Sequence, residues 1–410
     1  MSPLDVHCVT KVRKMTIHIA NHIEKLLERH NSARLRAINL IVSENRMSKR
    51  AAAPLSSDIS ARYAASFYAG TEPAQELIFS VTEMAKSVFE AKYANLSPIS
   101  GNMALLAVVF ALTKSQDYVG RVPPFFPGGG YPLNYEVFDR RPLPLPFSES
   151  TWQLDVPRTL ELIERHKPPL VVLGSSIVTY PMPVAEISAT VHAYGGLVAY
   201  DGSHTLGLIA GGEYQDPLRE GADLLLGSTH KTFPGPQGGI ILTNDEGVHK
   251  RVEVLANFTP LNGPTLICNP HLARIASTGI VLQETPWREY ARRVVDNART
   301  ISRIFREEGI PLHGVDAANF PESTYCHQVV TAYSRSDALA LRDRLRKHRI
   351  NVDAFLRIGT SEITRLGYEA AESGQLARLI AQLIKDDDID IVEVDRRIND
   401  LIETHCIVAL

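Results

Sequence analysis

The sequence predicts an α/β fold: a large domain built on a mostly parallel sheet, followed by a smaller α+β domain. Between residues 155 and 243, apolar stretches such as LVVLGSS and DLLLGSTHK alternate with segments of helical periodicity. Strands that are apolar throughout are typical of a sheet covered by helices on both faces. Towards the C-terminus, short strands such as CHQVVTAYS mix with amphipathic helices, which is typical of a separate α+β unit.

The first elements can be predicted in chain order. Residues 15–30 place their apolar side chains on one helical face and predict a helix. INLIVSENRMSKRAAA predicts an extended run that ends in a polar loop, and residues 75–92 predict a second helix. A Ser-Gly-Asn turn then opens an apolar helix in SPISGNMALLAVVFALT. The segment 121–150 is rich in Pro, Gly and aromatic residues, and we expect a long ordered loop there.

From residue 155 onward, helices precede strands. TLELIERHK is predicted to be a helix before LVVLGSS, and residues 184–194 a helix before GLVAYDGSH. DLLLGSTHK and GGIILT are the next strands, and helices dominate residues 285–310. A later helix presents an apolar face made of Leu376, Leu379, Ile380 and Leu383. We therefore expect an N-terminal arm and helix over 1–45, a large domain over 46–285 and a small domain over 286–410.

Composition excludes several classes of protein. The 410 residues carry a net charge of −3, with 44% hydrophobic and 22% charged residues, which favours neither nucleic acid nor an anionic membrane as a partner. No apolar stretch reaches the roughly 20 residues of a membrane-spanning helix, and the N-terminus lacks the apolar core of a signal peptide. The scattered cysteines have no metal-ligand spacing. We expect a cytoplasmic protein with reduced thiols and no metal site. These cysteines are Cys8, Cys268, Cys326 and Cys406.

Polar residues that could carry chemistry follow the predicted strands. Asp201 ends the strand in GLVAYDGSH, Lys231 follows the strand in DLLLGSTHK, and Ser175 and Ser176 follow the strand in LVVLGSS. Ligands of open α/β sheets bind at the carboxyl ends of the strands. The triplet that runs from Ser100 to Asn102 opens a helix, where free N–H groups and the helix dipole favour a phosphate. A lysine for a Schiff base, a carboxylate for a pyridine nitrogen and a phosphate cradle are the three groups that pyridoxal phosphate needs.

Each of these residues also has an ordinary structural interpretation. A lysine after a strand is usually solvated, Asp201 could cap the following turn, and Ser100 and Gly101 form a common helix start. His204 and His230 could be core histidines. The lysine, the aspartate and the helix start, found together and in this order along the chain, are a more specific signal of a cofactor site than any one of them. The glycines and prolines after Lys231 would let the backbone turn sharply beside a cofactor, and a desolvated amine is more nucleophilic.

Five motifs along nearly the whole chain carry a resemblance to a known family. They are LIVSENRMS, YANLSPISGN, YDGSHTLGLIAGG, STHKTFPGPQGG and RIGTSEITRLGY. Together they resemble serine hydroxymethyltransferase, a fold-type-I pyridoxal-phosphate enzyme. The resemblance implies a seven-stranded-type sheet, pyridoxal 5'-phosphate as cofactor, a small amino-acid substrate, and a homodimer with active sites at the subunit interface.

The resemblance also implies roles for individual residues. Lys231 would form the Schiff base and Asp201 would bind the pyridine nitrogen. Arg357 and Ser43 would clamp the substrate carboxylate, a task that suits a planar guanidinium. The implied catalytic residues are Lys231, Tyr131, Tyr63 and His230. The implied cofactor-binding residues are Ser100, Gly101, Asn102, Tyr131, Ser176, Asp201, His204, Ser228, His230, Lys231 and Gly263. The substrate-binding residues would be Ser43, Tyr63, Tyr68 and Arg357, with Tyr63, Tyr68 and the turn near Gly263 reaching into the neighbouring subunit's site.

The sequence departs from the family pattern at a selective set of positions. The glutamate that transfers a proton in hydroxymethyl chemistry is Ala65 here, and an alanine cannot move a proton. Where the family has a histidine stacked on the cofactor ring, this sequence has Tyr131, and a tyrosine is a far weaker base near neutral pH. Gln237 replaces an arginine, and the stretch before Arg357 lacks residues that belong to the folate pocket. Cofactor anchors are kept while folate and proton-transfer parts are lost, so we expect a folate-independent enzyme.

Three functions remain open from the sequence. The first is β-elimination, or decarboxylation coupled to oxidative deamination, of an amino-acid conjugate such as a cysteine S-conjugate, as in hydroxymethyltransferase-like enzymes of lincosamide antibiotic biosynthesis. The second is serine hydroxymethyl transfer or a threonine aldolase or transaldolase reaction. The third is a non-catalytic protein that binds pyridoxal phosphate. Retention of Lys231, Asp201 and Arg357 argues against the third.

Overall fold

The computed structural model describes residues 22–124, 129–148, 151–257, 266–314, 322–386 and 390–406. Its largest feature is a seven-stranded sheet with helices on both faces. In spatial order the strands are β2 (Tyr93–Asn95), β10 (Gly239–Thr243), β9 (Leu224–Ser228), β8 (Leu197–Asp201), β7 (Leu170–Leu173), β3 (Tyr118–Arg121) and β4 (Arg141–Pro144).

The sheet is mostly parallel, as the sequence predicts. β10 runs antiparallel to both of its neighbours, while the pairs from β9 to β4 are parallel. The reversal at β10 has a simple cause. Residues 229–238 alone separate it from β9, and a parallel crossover needs a dozen or more residues. This short connection, which contains Lys231, therefore becomes a turn at the sheet edge.

Alternate residues of the central strands enter two different cores. In β7, Leu170 and Val172 join the core under one face of the sheet, whereas Val171 and Leu173 join the core under the other. This follows from the two-residue period of a strand, which sends successive side chains to opposite faces. Because both faces are covered, each position in such a strand is apolar, and the sequence signal is an unbroken run.

The helices cover the two faces unequally. The helices are α1 (residues 22–35), α2 (Lys49–Ala52), α3 (Glu72–Phe89), α4 (Gly101–Leu112), α5 (Val156–His166), α6 (Val184–His192), α7 (Leu206–Ala210), α8 (Glu246–Ala256), α9 (Leu272–Glu284), α10 (Trp287–Glu307), α11 (Arg335–Lys347), α12 (Ser361–Arg365), α13 (Ala370–Lys385) and α14 (Ile391–Cys406). Helices α4 and α8 pack on one face, and α3, α5, α6 and α9 pack on the other.

A second core of α+β type lies towards the C-terminus. β11 (Gln328–Val330) pairs antiparallel with β13 (Arg357–Gly359), and helices α10, α11, α13 and α14 pack around them. β1 (Ile38–Asn39) pairs parallel with β12 (Ile350–Asn351), so the segment after α1 belongs to this core. Helix α10 contributes to two clusters, since Val294 packs with Val178 and Leu208 in a separate cluster and Ile301 packs in the C-terminal core. The boundary at residue 286 remains a prediction.

Two sequence expectations need correction or restriction. The segment 121–150 is not one long loop. It contains a 3-10 turn at Tyr135–Phe138, the edge strand β4, and β5 (Phe147–Ser148), which pairs with β6 (Gln153–Leu154). β4 was not predicted because Pro142 and Pro144 resemble a loop signal; within a sheet, proline is confined largely to edge strands such as this one. The helix expected over 15–30 is described from residue 22 onward; residues 15–21 lie outside the described part of the chain.

Candidate active site

The turn between β9 and β10 buries Lys231 at the sheet edge. The Thr229 N–H donates to the Gly238 carbonyl at 3.1 Å, and the Gly235 N–H donates to the Thr229 carbonyl at 2.9 Å. Asn45 Nδ2 donates to the Lys231 carbonyl at 2.6 Å. These bonds fix the backbone on both sides of Lys231, which is 8% exposed.

Burial changes the acid–base behaviour of Lys231. It lowers the pKa of the Lys231 amine from its ordinary 10.5 to about 8; the Asp201 carboxylate opposes this shift and the Arg357 guanidinium adds to it. Desolvation disfavours the ammonium form, and a nearby cation disfavours it further. The amine therefore has an appreciable neutral fraction near neutral pH, which is the form that attacks an aldehyde and accepts a proton.

Asp201 ends β8 beside the lysine turn. It is 8% exposed, and burial raises the pKa of its carboxyl, while a hydrogen bond from Ser203 and the charge of Lys231 lower it. The Ser203 N–H donates to Asp201 Oδ1 at 2.9 Å. The chain after β7 reaches Asp201 closely because Gly174 has φ +102, and a Cβ there would lie 2.1 Å from the Asp201 carbonyl oxygen. A buried carboxyl in this position would be stabilised as carboxylate by a protonated ring nitrogen.

The N-terminus of α4 faces two serine hydroxyls. Ser100 caps the helix, its Oγ accepting the Met103 N–H at 3.1 Å. A Cβ on Gly101 would lie 2.3 Å from Ser228 Oγ, so only glycine leaves room for this approach. Asn102, the next residue of the helix, is half-buried.

Ser203 joins the helix start to Asp201. The Ser228 N–H donates to Ser203 Oγ at 3.0 Å, and the two hydroxyls lie 3.2 Å apart. Free N–H groups at a helix start, with hydroxyls beside them, suit a phosphate.

The two predicted histidines are neutral near pH 7. Burial lowers the pKa of His230 to about 4; the Lys231 charge adds to this and Glu44 opposes it. Burial also holds the pKa of His204 well below its usual value. Gln328 Nε2 lies 3.1 Å from His204 Nδ1, and an amide NH₂ can only donate, so His204 carries its proton on Nε2. His230 Nδ1 is buried and has no hydrogen-bond partner among the residues that the structure describes. The two imidazole rings can donate or accept hydrogen bonds, but because their pKa values are low they are poor general acids at neutral pH.

Arg357 opens β13 and is 9% exposed. Its Nη1 donates to the carbonyl of Ser176, which also accepts from Gln328 Nε2 at 3.2 Å. Its Nε donates to Asp353 Oδ2 at 2.6 Å. The predicted carboxylate-binding arginine and Ser176 are thus in direct contact, although 181 residues separate them in the sequence.

Ser43 lies between two segments that contact the site. Val42 accepts a hydrogen bond from His327 Nε2 at 3.1 Å, and a Cβ on Gly359 would lie 2.7 Å from the Val42 Cα. Two residues after Ser43, Asn45 binds the Lys231 carbonyl. The segment from Val42 to Asn45 therefore runs from the arginine strand to the lysine turn.

Tyr131 lies at the edge of this cluster. Burial raises the pKa of its phenol, and the nearby Asp201 carboxylate raises it further, so the hydroxyl stays protonated. Tyr63 and Tyr68 are placed differently, with half of each side chain exposed. Their rings contact each other at 5.6 Å, and no recorded contact among the described residues links them to the other predicted site residues. Gly263 lies outside the described residues.

Four residues that the sequence did not single out also belong to the cluster. They are Asn45, Ser203, Gln328 and Asp353. Ser203 alone had a local signal, because a serine two residues after a strand-end aspartate commonly returns its N–H to that carboxylate. The other three act across long sequence separations or through a turn that no periodicity marks.

The cluster fits pyridoxal phosphate. The buried Lys231 amine, the buried Asp201 carboxyl and the α4 start opened by Gly101 are three separate features that match its aldehyde, ring nitrogen and phosphate. Over the described ranges, no three His, Cys, Asp or Glu side chains come together as a metal site. None of the helices in those ranges is both long enough and apolar enough to cross a bilayer.

Comparison with known proteins identifies the relatives of the chain. The serine hydroxymethyltransferase family pattern matches residues 16–320. The serine hydroxymethyltransferase of Pyrobaculum islandicum is 34% identical over 92% of both chains, and that of Methanothermobacter thermautotrophicus is 35% identical over 89% of this chain and 90% of its own. Among solved structures, L-threonine transaldolase from Pseudomonas fluorescens, in its internal aldimine state, superposes with a TM-score of 0.84 at 24% identity, covering 97% of this chain and 94% of its own.

Proposed function

The chain belongs to the serine hydroxymethyltransferase family and is a pyridoxal-phosphate-dependent enzyme, and from this premise we propose that it acts without folate on an amino acid or amino-acid conjugate. The proposed reaction is β-elimination, or decarboxylation coupled to oxidative deamination. A cysteine S-conjugate in specialised, antibiotic-type metabolism is the proposed substrate class. The cytoplasm is the proposed compartment.

Each retained residue has a proposed task. When bound, pyridoxal phosphate takes up the electron pair released as a bond to the substrate α-carbon breaks. Arg357 binds the substrate carboxylate, with Ser43 beside it. Asp201 keeps the ring nitrogen protonated, and the α4 start with Ser228 holds the phosphate. His204 donates from Nε2 to the cofactor, and Tyr131 packs against its ring. Lys231 Nζ removes the α-proton when the reaction is an elimination.

One observation carries the folate-independent proposal. Among the predicted site residues within the described ranges, the amine of Lys231 has a pKa near neutrality, at about 8. The pKa of His230 is about 4, and burial holds the pKa of His204 well below that of an ordinary histidine. Residue 65 is alanine, whose side chain carries no ionisable proton. The family resemblance assigns proton transfer in hydroxymethyl chemistry to the glutamate that is Ala65 here, and an alanine cannot move a proton, whereas elimination or decarboxylation can proceed with Lys231 as the one proton carrier.

The subunit arrangement is part of the proposal. We take Tyr63 and Tyr68 to complete the site of a second copy of the chain, because both rings are half-exposed on their own subunit. His230 would then contact the cofactor from the lysine turn, and Gly263 would contribute from the neighbouring subunit. The enzyme would be a homodimer with two shared sites.

A substrate screen tests this function. Holoenzyme is incubated with serine, cysteine and a cysteine thioether, with and without tetrahydrofolate and with and without oxygen, and products are identified by mass spectrometry. Pyruvate or an unsaturated product indicates elimination, and carbon dioxide with an aldehyde indicates oxidative decarboxylation. Rapid glycine formation from serine that depends on tetrahydrofolate would overturn the proposal.

A second candidate is an aldol-type reaction on a threonine-like β-hydroxy amino acid. The likeness in fold to an L-threonine transaldolase motivates it. Acetaldehyde released from threonine, or threonine converted in the presence of a second aldehyde, would favour this candidate over the first.

A further inference from the structure

We propose that Asp353 is a specificity-determining residue: as the counter-ion of Arg357, it weakens the electrostatic attraction between Arg357 and a substrate carboxylate. This inference rests on the proposed function in one respect, the assignment of Arg357 to the substrate carboxylate. We therefore expect the site to discriminate less strongly between amino acids and the corresponding amines than a site in which Arg357 has no carboxylate counter-ion.

Asp353 organises the turn that presents Arg357. Its Oδ2 accepts from Arg357 Nε at 2.6 Å, and its Oδ1 accepts from the backbone N–H of Phe355 at 2.9 Å and of Arg357 at 3.2 Å. The turn needs this support because Leu356 is buried and has φ +52, a left-handed conformation that a leucine rarely adopts. The two charged side chains are 11% and 16% exposed, so water screens the pair only weakly.

The guanidinium of Arg357 keeps part of its hydrogen-bonding capacity. Of five N–H bonds, the Nε–H is used by Asp353 and one at Nη1 by the Ser176 carbonyl. Within the described part of the chain, the remaining N–H bonds, one on Nη1 and two on Nη2, have no recorded acceptor. The N–H bonds left for a substrate carboxylate are therefore those on Nη1 and Nη2, whereas the Nε–H is already taken by Asp353.

The charge balance determines how strongly this edge attracts an anion. A lone buried guanidinium would attract a carboxylate strongly and would be left uncompensated without it. Because Asp353 already neutralises the cation, the attraction is weaker, and a bound species without a carboxylate leaves no unpaired buried charge. A site of this kind suits a reaction in which the substrate loses its carboxylate, because Asp353 still neutralises Arg357 after the carboxylate has left.

The test compares acid and amine affinities in the holoenzyme. Glycine and methylamine, and L-alanine and ethylamine, are titrated while the absorbance of the bound cofactor is followed. The measured quantity is the ratio of acid to amine affinity, in which effects on the cofactor itself cancel. We expect Asp353→Asn to raise this ratio on the order of fivefold, because it removes a negative charge a few ångströms from the substrate carboxylate. Asparagine keeps the Oδ1 acceptor for the two backbone N–H groups.

The controls separate the possible failures. Asp296→Asn removes an exposed i,i+4 partner of Arg292 and should leave the ratio unchanged. Asp353→Ser, whose hydroxyl can also accept a backbone N–H, should shift the ratio in the same direction if the asparagine variant folds poorly. A ratio that stays constant or falls in both Asp353 variants overturns the inference. If Arg357→Gln also leaves the ratio unchanged, the assignment of Arg357 in the proposed function fails; if Arg357→Gln collapses the ratio, only the role of Asp353 fails.

Discussion

At the scale of single residues, the chemistry depends on charges that the fold buries. Lys231 and Asp201 are each 8% exposed, and burial moves both pKa values towards neutrality. Each charge favours the ionised form of the other, which limits the cost of burying them. A cofactor with an aldehyde and a basic ring nitrogen would engage both groups.

Lys231→Ala should abolish the covalent link to pyridoxal phosphate. Borohydride reduction of wild-type holoenzyme should add the mass of the reduced cofactor to a peptide containing residue 231, and the variant should show no such adduct. Lys250→Ala is a matched control, because this lysine is exposed and paired with Glu246. An adduct that persists in Lys231→Ala would remove the lysine from its assigned role.

The stability of the cofactor-free protein should depend on pH through Lys231. Its pKa is about 8 in the folded protein against an ordinary value of 10.5, so the unfolded chain binds more protons between these values. The free energy of unfolding should therefore rise as pH increases from about 8 to about 10.5, and the gain should be lost as pH falls through 8. Urea denaturation at several pH values measures this. Lys231→Met should flatten the rise, and an equal rise in both proteins would contradict the assignment.

At the scale of secondary-structure elements, the site depends on how closely strands and helix ends approach one another. β9 and β10 reverse within residues 229–238, and the α4 start meets β9 at Gly101 and Ser228. Small residues at these contacts let three backbone segments surround one ligand.

Gly101→Ala should weaken cofactor binding. The new Cβ would lie 2.3 Å from Ser228 Oγ and 3.1 Å from Ser203 Oγ, so the α4 start or the two hydroxyls must move. We expect affinity for pyridoxal phosphate to fall by about tenfold or more, measured by fluorescence titration of the cofactor-free protein. Gly247→Ala, in the first turn of α8, is the control, because the nearest described atom that its Cβ would meet outside its own helix backbone is Asp245 Oδ1 at 3.2 Å. Equal affinity in both variants would show that the α4 start does not hold the cofactor.

At the scale of the whole molecule, one chain presents aromatic side chains that its own core does not cover. Tyr63, Phe67 and Tyr68 are exposed by 50%, 56% and 46%, and the Tyr68 ring contacts the rings of the other two. A contiguous exposed aromatic patch commonly marks a contact surface. The proposed homodimer would cover it and would bring both tyrosines to a second active site.

Mixing two inactive variants tests whether the sites are shared. Lys231→Ala and a Tyr63→Phe, Tyr68→Phe double variant are each expected to have little activity. Co-expression should restore about a quarter of the wild-type activity, because random pairing makes half of the dimers mixed and each mixed dimer holds one intact site. Two copies of Lys231→Ala that differ only in affinity tag serve as the control. No recovery in purified mixed dimers would place the tyrosines outside the partner's site.

The sequence by itself determined the elements and the main chemical groups. Unbroken apolar runs gave the central strands, because a sheet covered on both faces needs an apolar residue at each position. The strand-end positions of Asp201 and Lys231, the turn before α4, and the cofactor followed from local sequence. The edge strand β4 was missed, since its two prolines mimic a loop.

Only the tertiary structure decided which distant residues complete the site. Arg357 meets the Ser176 carbonyl across 181 residues, Gln328 meets the same carbonyl across 152, and Asn45 meets the Lys231 carbonyl across 186. Local periodicity reports which side of an element is buried, but not which residue lies opposite. Such pairings are set by the packing of two cores against each other. The Asp353–Arg357 pair is local, but it depends on a turn with a left-handed Leu356 that no sequence periodicity marks.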